Sequence, residues 1–148
     1  MNSNSLTDAL QDGVARAAAV VALAGVALIH LIDAPNTFPV VPYIGSLYVA
    51  LITGSMLTAG ALIRASNTRV WLAAALLPLG AIVGFTLTRT VGLPGDTGDI
   101  GNWSEPLGMA SLFVEGSLVA LSAIVLQKRV DGAVHRVVCP WPRKPQEA

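Results

Sequence analysis

Four long stretches with almost no charged residues constrain this chain more than any other feature. They run over Val14–Ile32, Val40–Ile63, Val70–Thr88 and Pro106–Leu126. A helix needs about 20 apolar residues to cross the roughly 30 Å hydrocarbon layer, and backbone groups in lipid must be hydrogen-bonded within their own segment. We therefore predict an all-α polytopic membrane protein, with four transmembrane helices in an antiparallel bundle. The predicted spans are at about residues 14–33, 42–63, 70–89 and 105–127.

The composition predicts one membrane domain over residues 1–148. Only 12% of the residues are charged, whereas soluble domains carry about 25%. The longest pieces outside the spans are the loop 89–105 and the tail 128–148. Neither can build a core of its own, because chains below about 40 residues usually need staples. No nucleophile–base pair or phosphate-binding loop is evident either, so a non-enzymatic function is favoured.

The basic residues predict the orientation. Arg89 is the one basic residue in the loops at its end of the spans, and the other eight lie at the opposite end, which the positive-inside rule makes cytoplasmic. Both termini of this cell-membrane protein are then cytoplasmic, and the loops 34–39 and 89–105 face outward. The first thirteen residues carry no Lys or Arg, so the first span is expected to be retained rather than cleaved as a signal peptide. The eight residues are Arg16, Arg64, Arg69, Lys128, Arg129, Arg136, Arg143 and Lys144.

The expected partners are the lipid bilayer and, in addition, other membrane proteins or a second copy of the chain. A net charge of zero argues against nucleic acid, which requires a basic surface. Gly80 and Gly84 form a G-x-x-x-G pair of the kind that lets helices approach closely in lipid. We favour packing within the bundle over a homodimer interface for this pair. The single Cys139 excludes an intramolecular disulfide.

Glu115 is the most informative single residue. It lies near the middle of the fourth span, where an acidic residue costs about 2.5–3.5 kcal/mol on insertion scales. It should therefore face the bundle interior and be protonated or paired. One interpretation is a proton-accepting or ligand-binding carboxylate. The other is a structural hydrogen bond to a Ser or Thr on a neighbouring helix, with Ser55, Thr58 and Ser111 among the candidates.

Two further polar residues close the first span at its outward end. His30 and Asp33 are three residues apart, and so lie on nearly the same helix face. A histidine beside a carboxylate is held in one tautomer and suits a proton relay, a pH sensor or a metal site. The simpler interpretation is a hydrated helix end.

Arg89 ends the third span on the same side, where we expect it to have an anionic partner. By depth, Asp33, Glu105 and Glu115 are the candidates, and such a pair can be bidentate. The alternative is that the side chain extends to a lipid phosphate.

The loop that follows contains four glycines and a proline over residues 92–105, which predicts a folded path with tight turns. Oxygen-bearing residues recur at every third position, and such ligands can hold Ca²⁺ outside the cell. We favour turn and capping hydrogen bonds for the same residues. Trp103 is predicted to act as a lid over the outward mouth of the bundle. The oxygen-bearing residues are Asp96, Asp99, Asn102 and Glu105.

The block from Thr88 to Pro94, continued from Asp99 through Gly108 to Glu115, resembles one found in small four-helix integral membrane proteins of actinomycete type. That family has no established activity, so the resemblance implies the four-helix fold and no reaction. It covers the second half of the chain and directs attention to Arg89, Asp99, Trp103, Glu105 and Glu115.

Three functions are compatible with these features. We favour an accessory or ligand-binding subunit with an outward-facing polar pocket. The alternative is a small proton- or ion-coupled carrier or channel, although the inner halves of the spans are mainly Ala, Val and Leu and no inverted repeat is evident. The pocket residues are His30, Asp33, Arg89, Glu105 and Glu115.

The third function is a redox protein that holds haem, a metal or quinone. A bis-histidine haem needs two histidines at matching depth, yet His135 is predicted on the opposite side from His30. Two copies would have to pair their His30 side chains. The Cys139–Pro140 pair could also ligate haem, but a basic tail held near anionic lipid is the simpler interpretation of that segment.

Overall fold

The computed structural model describes residues 3–138, and four α-helices make up the fold in that part of the chain. They are α1 (Ser3–Thr37), α2 (Pro42–Arg64), α3 (Thr68–Thr90) and α4 (Pro106–Val138). All four are long and apolar enough to cross a membrane. The all-α prediction is therefore confirmed, with one helix for each apolar run.

The helix bounds differ from the predicted spans mainly at the two ends of the chain. α2 and α3 end within two residues of their predictions, whereas α1 begins at Ser3 and α4 continues to Val138. The predictions stopped where charged residues begin, but Lys, Arg, Glu and Gln are good helix formers. Asp12 and Arg16 also form an i,i+4 ion pair at 4.0 Å on the extended part of α1. Cys139 and Pro140 lie outside the described residues.

Local chemistry sets the turns between the helices. Pro42 is the first residue of α2, a position where the missing N–H costs nothing. Asn67 caps α3, because its side-chain oxygen accepts a hydrogen bond from the Val70 N–H at 3.0 Å. The connection between α2 and α3 is thereby reduced to three residues, 65–67, which makes these helices antiparallel neighbours.

The helices alternate in direction around the bundle. α1 packs against α2 and α4, and α3 packs against α4, while the contact between α2 and α3 is less extensive. We call the end with the connections 38–41 and 91–105 the loop end, and the opposite end the termini end. The hydrophobic core lies toward the termini end, where Leu23, Leu62, Trp71 and Leu118 are fully buried.

Glycines allow close helix contacts, but not at the predicted pair. A Cβ added at Gly54 would lie 3.0 Å from Leu77, and one at Gly108 would overlap the Phe85 ring. Gly80 and Gly84 meet no neighbouring atom within 4 Å. The prediction that this pair packs within the bundle is therefore wrong. The two glycines leave space beside α3 instead of bringing a helix to it.

Candidate functional site

A cavity of about 940 Å³ occupies the loop-end half of the bundle. All four helices and the connection between α3 and α4 contribute to its wall, and Gly80 and Gly84 form part of the α3 side. Seven of the nine candidate site residues from the sequence line it. These seven are His30, Asp33, Arg89, Asp96, Asp99, Glu105 and Glu115.

His30 and Glu115 form a buried pair on one side of this cavity. His30 Nε2 lies 3.7 Å from Glu115 Oε1, and the two residues are 8% and 1% exposed. The other ring nitrogen, Nδ1, lies 2.9 Å from the Val26 carbonyl oxygen. Because a carbonyl only accepts hydrogen bonds, Nδ1 must carry the hydrogen, which leaves Nε2 facing the carboxyl group. The carboxylate next to His30 is thus Glu115 rather than the predicted Asp33.

Glu115 also has a hydrogen-bond partner on its own helix, α4. The Ser111 hydroxyl donates to Glu115 Oε1 at 2.8 Å. Ser111 was among the predicted candidates, but it lies one turn away on the same helix rather than on a neighbouring one. Oε2 has no hydrogen-bond partner among the side chains and backbone groups of residues 3–138.

A second polar group joins α1 to α2. The Tyr48 hydroxyl donates to Asp33 Oδ2 at 3.1 Å, and the Thr37 hydroxyl approaches the same oxygen at 3.4 Å. The Tyr48 ring also packs edge-on against the His30 ring, with centroids 4.8 Å apart. Tyr48 therefore connects the Asp33 carboxylate to the His30–Glu115 pair.

All three guanidinium nitrogens of Arg89 form hydrogen bonds with groups at the loop end. Nη1 donates to Asp99 Oδ2 at 3.0 Å and to the Thr88 hydroxyl at 2.9 Å. Nη2 pairs with Glu105 Oε2, and Nε donates to the Asn102 carbonyl at 3.1 Å. The predicted partner Glu105 is confirmed, Asp99 is an additional one, and neither Asp33 nor Glu115 takes part. Arg89 is 7% exposed, and its guanidinium joins the connection between α3 and α4 to the end of α3.

The connection between α3 and α4 follows the tight path that its glycines predicted. Gly92, Gly95 and Gly101 have positive φ values of 74°, 78° and 83°, a region that L side chains rarely adopt. The Gly101 N–H donates to the Arg89 carbonyl at 2.9 Å. The Tyr43 hydroxyl donates to the Pro94 carbonyl at 2.9 Å, which ties the connection to α2 as well.

The carboxylates of this connection serve Arg89 in the structure. Asp99 and Glu105 bind the guanidinium, and Asn102 contributes only its backbone carbonyl to it. Within residues 3–138 no group of three or more His, Cys, Asp or Glu residues is placed to hold a metal ion. Asp96 lies at the cavity wall. Partial burial there, together with the nearby Asp99 carboxylate, raises the pKa of Asp96 above its ordinary value.

Trp103 lies beside the cavity rather than over it. It is 45% exposed and packs edge-on against Phe85 with ring centroids 6.2 Å apart. Residues between Leu93 and Asp99 line the cavity at the loop end, and Trp103 is not among the lining residues. The indole therefore stabilises the start of α4 against α3 instead of forming the predicted lid.

Sequence reasoning missed Tyr48 and Thr37 as members of the site. Both could have been predicted from their positions along the helices. His30, Asp33 and Thr37 follow i, i+3, i+7 spacing on α1, and Tyr48 lies two turns into the next helix, so antiparallel pairing brings them to similar heights. Comparison of the chain with models of protein families, with curated proteins and with solved structures gave no match. Its function must therefore be argued from the cavity.

Proposed function

We propose that the chain is a multi-pass protein of the cell membrane, with both termini in the cytoplasm, that binds a ligand in a cavity open toward the outside. The four long apolar helices support membrane insertion. The excess of Lys and Arg at the termini end supports the orientation. No catalytic arrangement is required for this function, which is that of an accessory or ligand-binding subunit.

The observation that carries the proposal is the cavity of about 940 Å³ with polar groups on one wall. Ligand sites are typically concave, largely apolar and provided with a few convergent polar groups, and their volumes are about 300–1,000 Å³. Here Leu51, Leu77 and Ala81 supply apolar wall, while His30 and Glu115 supply a polar wall. A buried carboxyl group in a membrane helix is costly, which favours a functional role for the pair.

The ligand-binding proposal is tested by filling the cavity at a position where a side chain fits. Gly84→Leu adds bulk to the cavity wall at a position with space for a side chain to begin, because no atom lies within 4 Å of a Cβ there. Gly116→Leu is the matched control, since Gly116 has the same free space but lies outside the cavity wall. Native mass spectra of the proteins extracted from their own membranes provide the readout.

We expect the wild-type protein and Gly116→Leu to carry the same added mass, and Gly84→Leu to lose it. Retention of that mass on Gly84→Leu, or a bare wild-type protein, would contradict binding in the cavity. Thermal unfolding of both variants checks that they are folded. Because leucine forms helix better than glycine by up to about 1 kcal/mol, neither variant should unfold more readily than the wild type.

A second candidate function is proton-coupled transport. Glu115, Ser122 and Arg129 recur every seven residues along α4, so they lie on nearly the same face from the cavity toward the termini end. The Ser122 hydroxyl and the Ser55 hydroxyl of α2 are fully buried and have no hydrogen-bond partner among the described residues. Buried waters typically bind such groups, so these hydroxyls favour a wet route in the half of the bundle that the sequence predicted to be apolar.

Proton uptake into liposomes that contain the protein tests this second function. Ser122→Ala should slow uptake if the hydroxyl belongs to the route. Ser117→Ala is the control, because Ser117 is on the exposed face of α4 and donates to its own helix at the Phe113 carbonyl. Equal uptake by both variants and the wild type would reject the route.

A further inference from the structure

The charges that line the cavity are strongly unbalanced. Five carboxyl groups face one arginine and one histidine. With the His30–Glu115 pair left out of the count, four carboxyl groups remain against Arg89, and their formal charges sum to −3. A ligand that enters this space meets an excess of negative charge in surroundings of low dielectric constant, where charges interact strongly.

Arg89 is not available to bind an anion. Its three guanidinium nitrogens already donate to Asn102, Thr88, Asp99 and Glu105. No Lys lines the cavity, and Arg89 is the one arginine among the described residues of its wall. A phosphate or carboxylate ligand would have to displace both of the carboxylates that hold Arg89, so an anionic head group is disfavoured.

Glu115 provides the second, independent observation. The side chain is 1% exposed and lines the cavity. An ionisable residue at such a position in a membrane helix is costly unless it is paired. Ser111 and His30 both lie against Oε1, which leaves Oε2 available to a ligand. A cationic group in the cavity would satisfy this oxygen, and the nearby Tyr48 ring can add a cation–π contribution.

The opposite part of the cavity wall is apolar and opens sideways between α2 and α3. Leu47 of α2 and Leu76 of α3 line the cavity and yet are 61% and 62% exposed on the bundle surface. Gly80 leaves the α3 side of this opening without a side chain. In the proposed membrane the opening faces acyl chains, so the apolar part of a ligand can reach the cavity from the bilayer.

We propose that the cavity selects a lipophilic cation, whose charge lies near Glu115 and Asp33 and whose apolar part lies between α2 and α3. This inference rests on the proposed ligand-binding function and adds the chemical class of the ligand. The acidic lining supplies the selection for cations. Without it, the same apolar opening would accept neutral and anionic amphiphiles equally well.

The test uses two probes of nearly the same shape and opposite permanent charge, tetraphenylphosphonium and tetraphenylborate. Equilibrium binding is measured on the full-length protein in nanodiscs of zwitterionic lipid, with empty nanodiscs as the background. We expect saturable binding of tetraphenylphosphonium at least about tenfold tighter than that of tetraphenylborate, a difference of ~1.4 kcal/mol. Equal binding, preference for the anion, or no binding of either probe would overturn the inference.

Two variants assign the selectivity to the cavity. Glu115→Gln keeps the shape of the side chain and should weaken tetraphenylphosphonium binding by about tenfold, as should Asp33→Asn. Asp8→Asn removes the same formal charge from an exposed position on α1 and should leave binding unchanged. If all three variants weaken binding equally, the probe reads net charge and not the cavity, and the inference fails.

These outcomes are distinct from failure of the proposed function. If the native ligand disappears on Gly84→Leu while tetraphenylphosphonium shows no preference over tetraphenylborate, the cavity binds a ligand that is not a cation. If no ligand is found on any variant and neither probe binds, both proposals fail together.

Discussion

The two ends of this bundle use similar polar residues in opposite ways. At the termini end, Asp12, Arg16, Ser66, Trp71 and Arg129 meet one another and the ends of the helices. The Ser66 hydroxyl donates to Asp12 at 3.1 Å and accepts from Trp71 Nε1 at 3.0 Å and from Arg129 Nη2 at 2.6 Å. Four different parts of the chain are joined at this one oxygen.

Arg16 extends the same pattern to the end of α2. Its guanidinium donates to the carbonyls of Leu62 and Ile63, with distances from 2.6 to 2.9 Å. These carbonyls lie in the last turn of the helix, where no intrahelical donor is available, and a cation there also interacts favourably with the helix dipole. The polar groups at the termini end thus complete the ends of helices.

The loop end contains one cluster of that kind and one that is different. Arg89 holds the connection between α3 and α4 in place, as Arg129 holds the connection between α2 and α3. The His30–Glu115 pair, however, borders open space and leaves a carboxyl oxygen without a donor. Arg129 Nε at the termini end is also buried without a hydrogen-bond partner among the described residues, so the two ends differ chiefly in that the His30–Glu115 pair lines the large cavity. Buried polar groups beside such a space indicate a site.

The largest effect on stability should come from Trp71→Ala at the termini end. The side chain is fully buried in the core and donates to Ser66, so its removal leaves a cavity and takes away one of the hydrogen bonds of the Ser66 hydroxyl. We expect the free energy of unfolding to fall by about 3 kcal/mol, measured by titration with denaturing detergent. The matched control is Trp103→Ala at the loop end, where the exposed indole should contribute less than about 1 kcal/mol. Equal losses would remove the contrast between the two ends.

Arg89→Ala should have the next largest effect. Its loss leaves Asp99 and Glu105 unpaired, but these carboxylates are partly exposed and can be hydrated, so we expect a loss of about 2 kcal/mol. Double-mutant cycles identify the partner. Arg89→Ala and Glu105→Ala should be non-additive by about 1 kcal/mol, whereas Arg89→Ala and Glu115→Gln should add within about 0.5 kcal/mol. The reverse pattern would mean that Arg89 pairs with Glu115.

Glu115→Gln and Asp12→Asn together test whether ligand binding depends on the loop end and stability on the termini end. Glu115→Gln keeps the Ser111 contact, and we expect it to change the unfolding free energy by less than about 1 kcal/mol while it weakens ligand binding. Asp12→Asn should weaken the Ser66–Arg129 cluster by about 1 kcal/mol and leave binding unchanged. Thermal unfolding and probe binding on the same preparations decide the matter. A loss of binding in both variants would show that the ends do not act separately.

The sequence predicted the number and order of the helices well because each apolar run lies almost wholly within one helix, although α1 and α4 extend well beyond their runs. It also predicted which residues line the cavity, since ionisable residues in apolar spans tend to face the interior. Arg89 and Glu105 were paired correctly because both lie at the ends of consecutive spans, where depth along the helix limits the choice of partner.

The sequence could not predict which polar residues contact each other across helices. His30 could face Asp33 on its own helix or Glu115 on α4, and only the rotation of α1 about its axis decides between them. The role of Gly80 and Gly84 was wrong for a similar reason. A small-residue pair indicates either a close helix contact or the wall of a cavity, and the outcome depends on the larger side chains around it.

The smallest expected effect is a dependence of stability on pH that arises from Asp96. Its pKa is raised in the folded protein, so the folded state binds a proton more readily than the unfolded state. Stability contributed by protonation is therefore present at low pH and is lost as the pH rises from the ordinary aspartate value through the raised value. The stability of Asp96→Asn relative to the wild type should therefore increase as the pH rises through this range, and the variant should be slightly the more stable at pH 7. The stability of Asp131→Asn, which changes an exposed position of α4 near the termini end, should differ from that of the wild type by the same amount at every pH. Unfolding titrations between pH 3 and 7, a range set by the ordinary carboxyl values of roughly 4, compare the three proteins. A relative stability of Asp96→Asn that falls as the pH rises would mean that the ionised carboxylate stabilises the loop end, as the carboxylates of Asp99 and Glu105 do through Arg89.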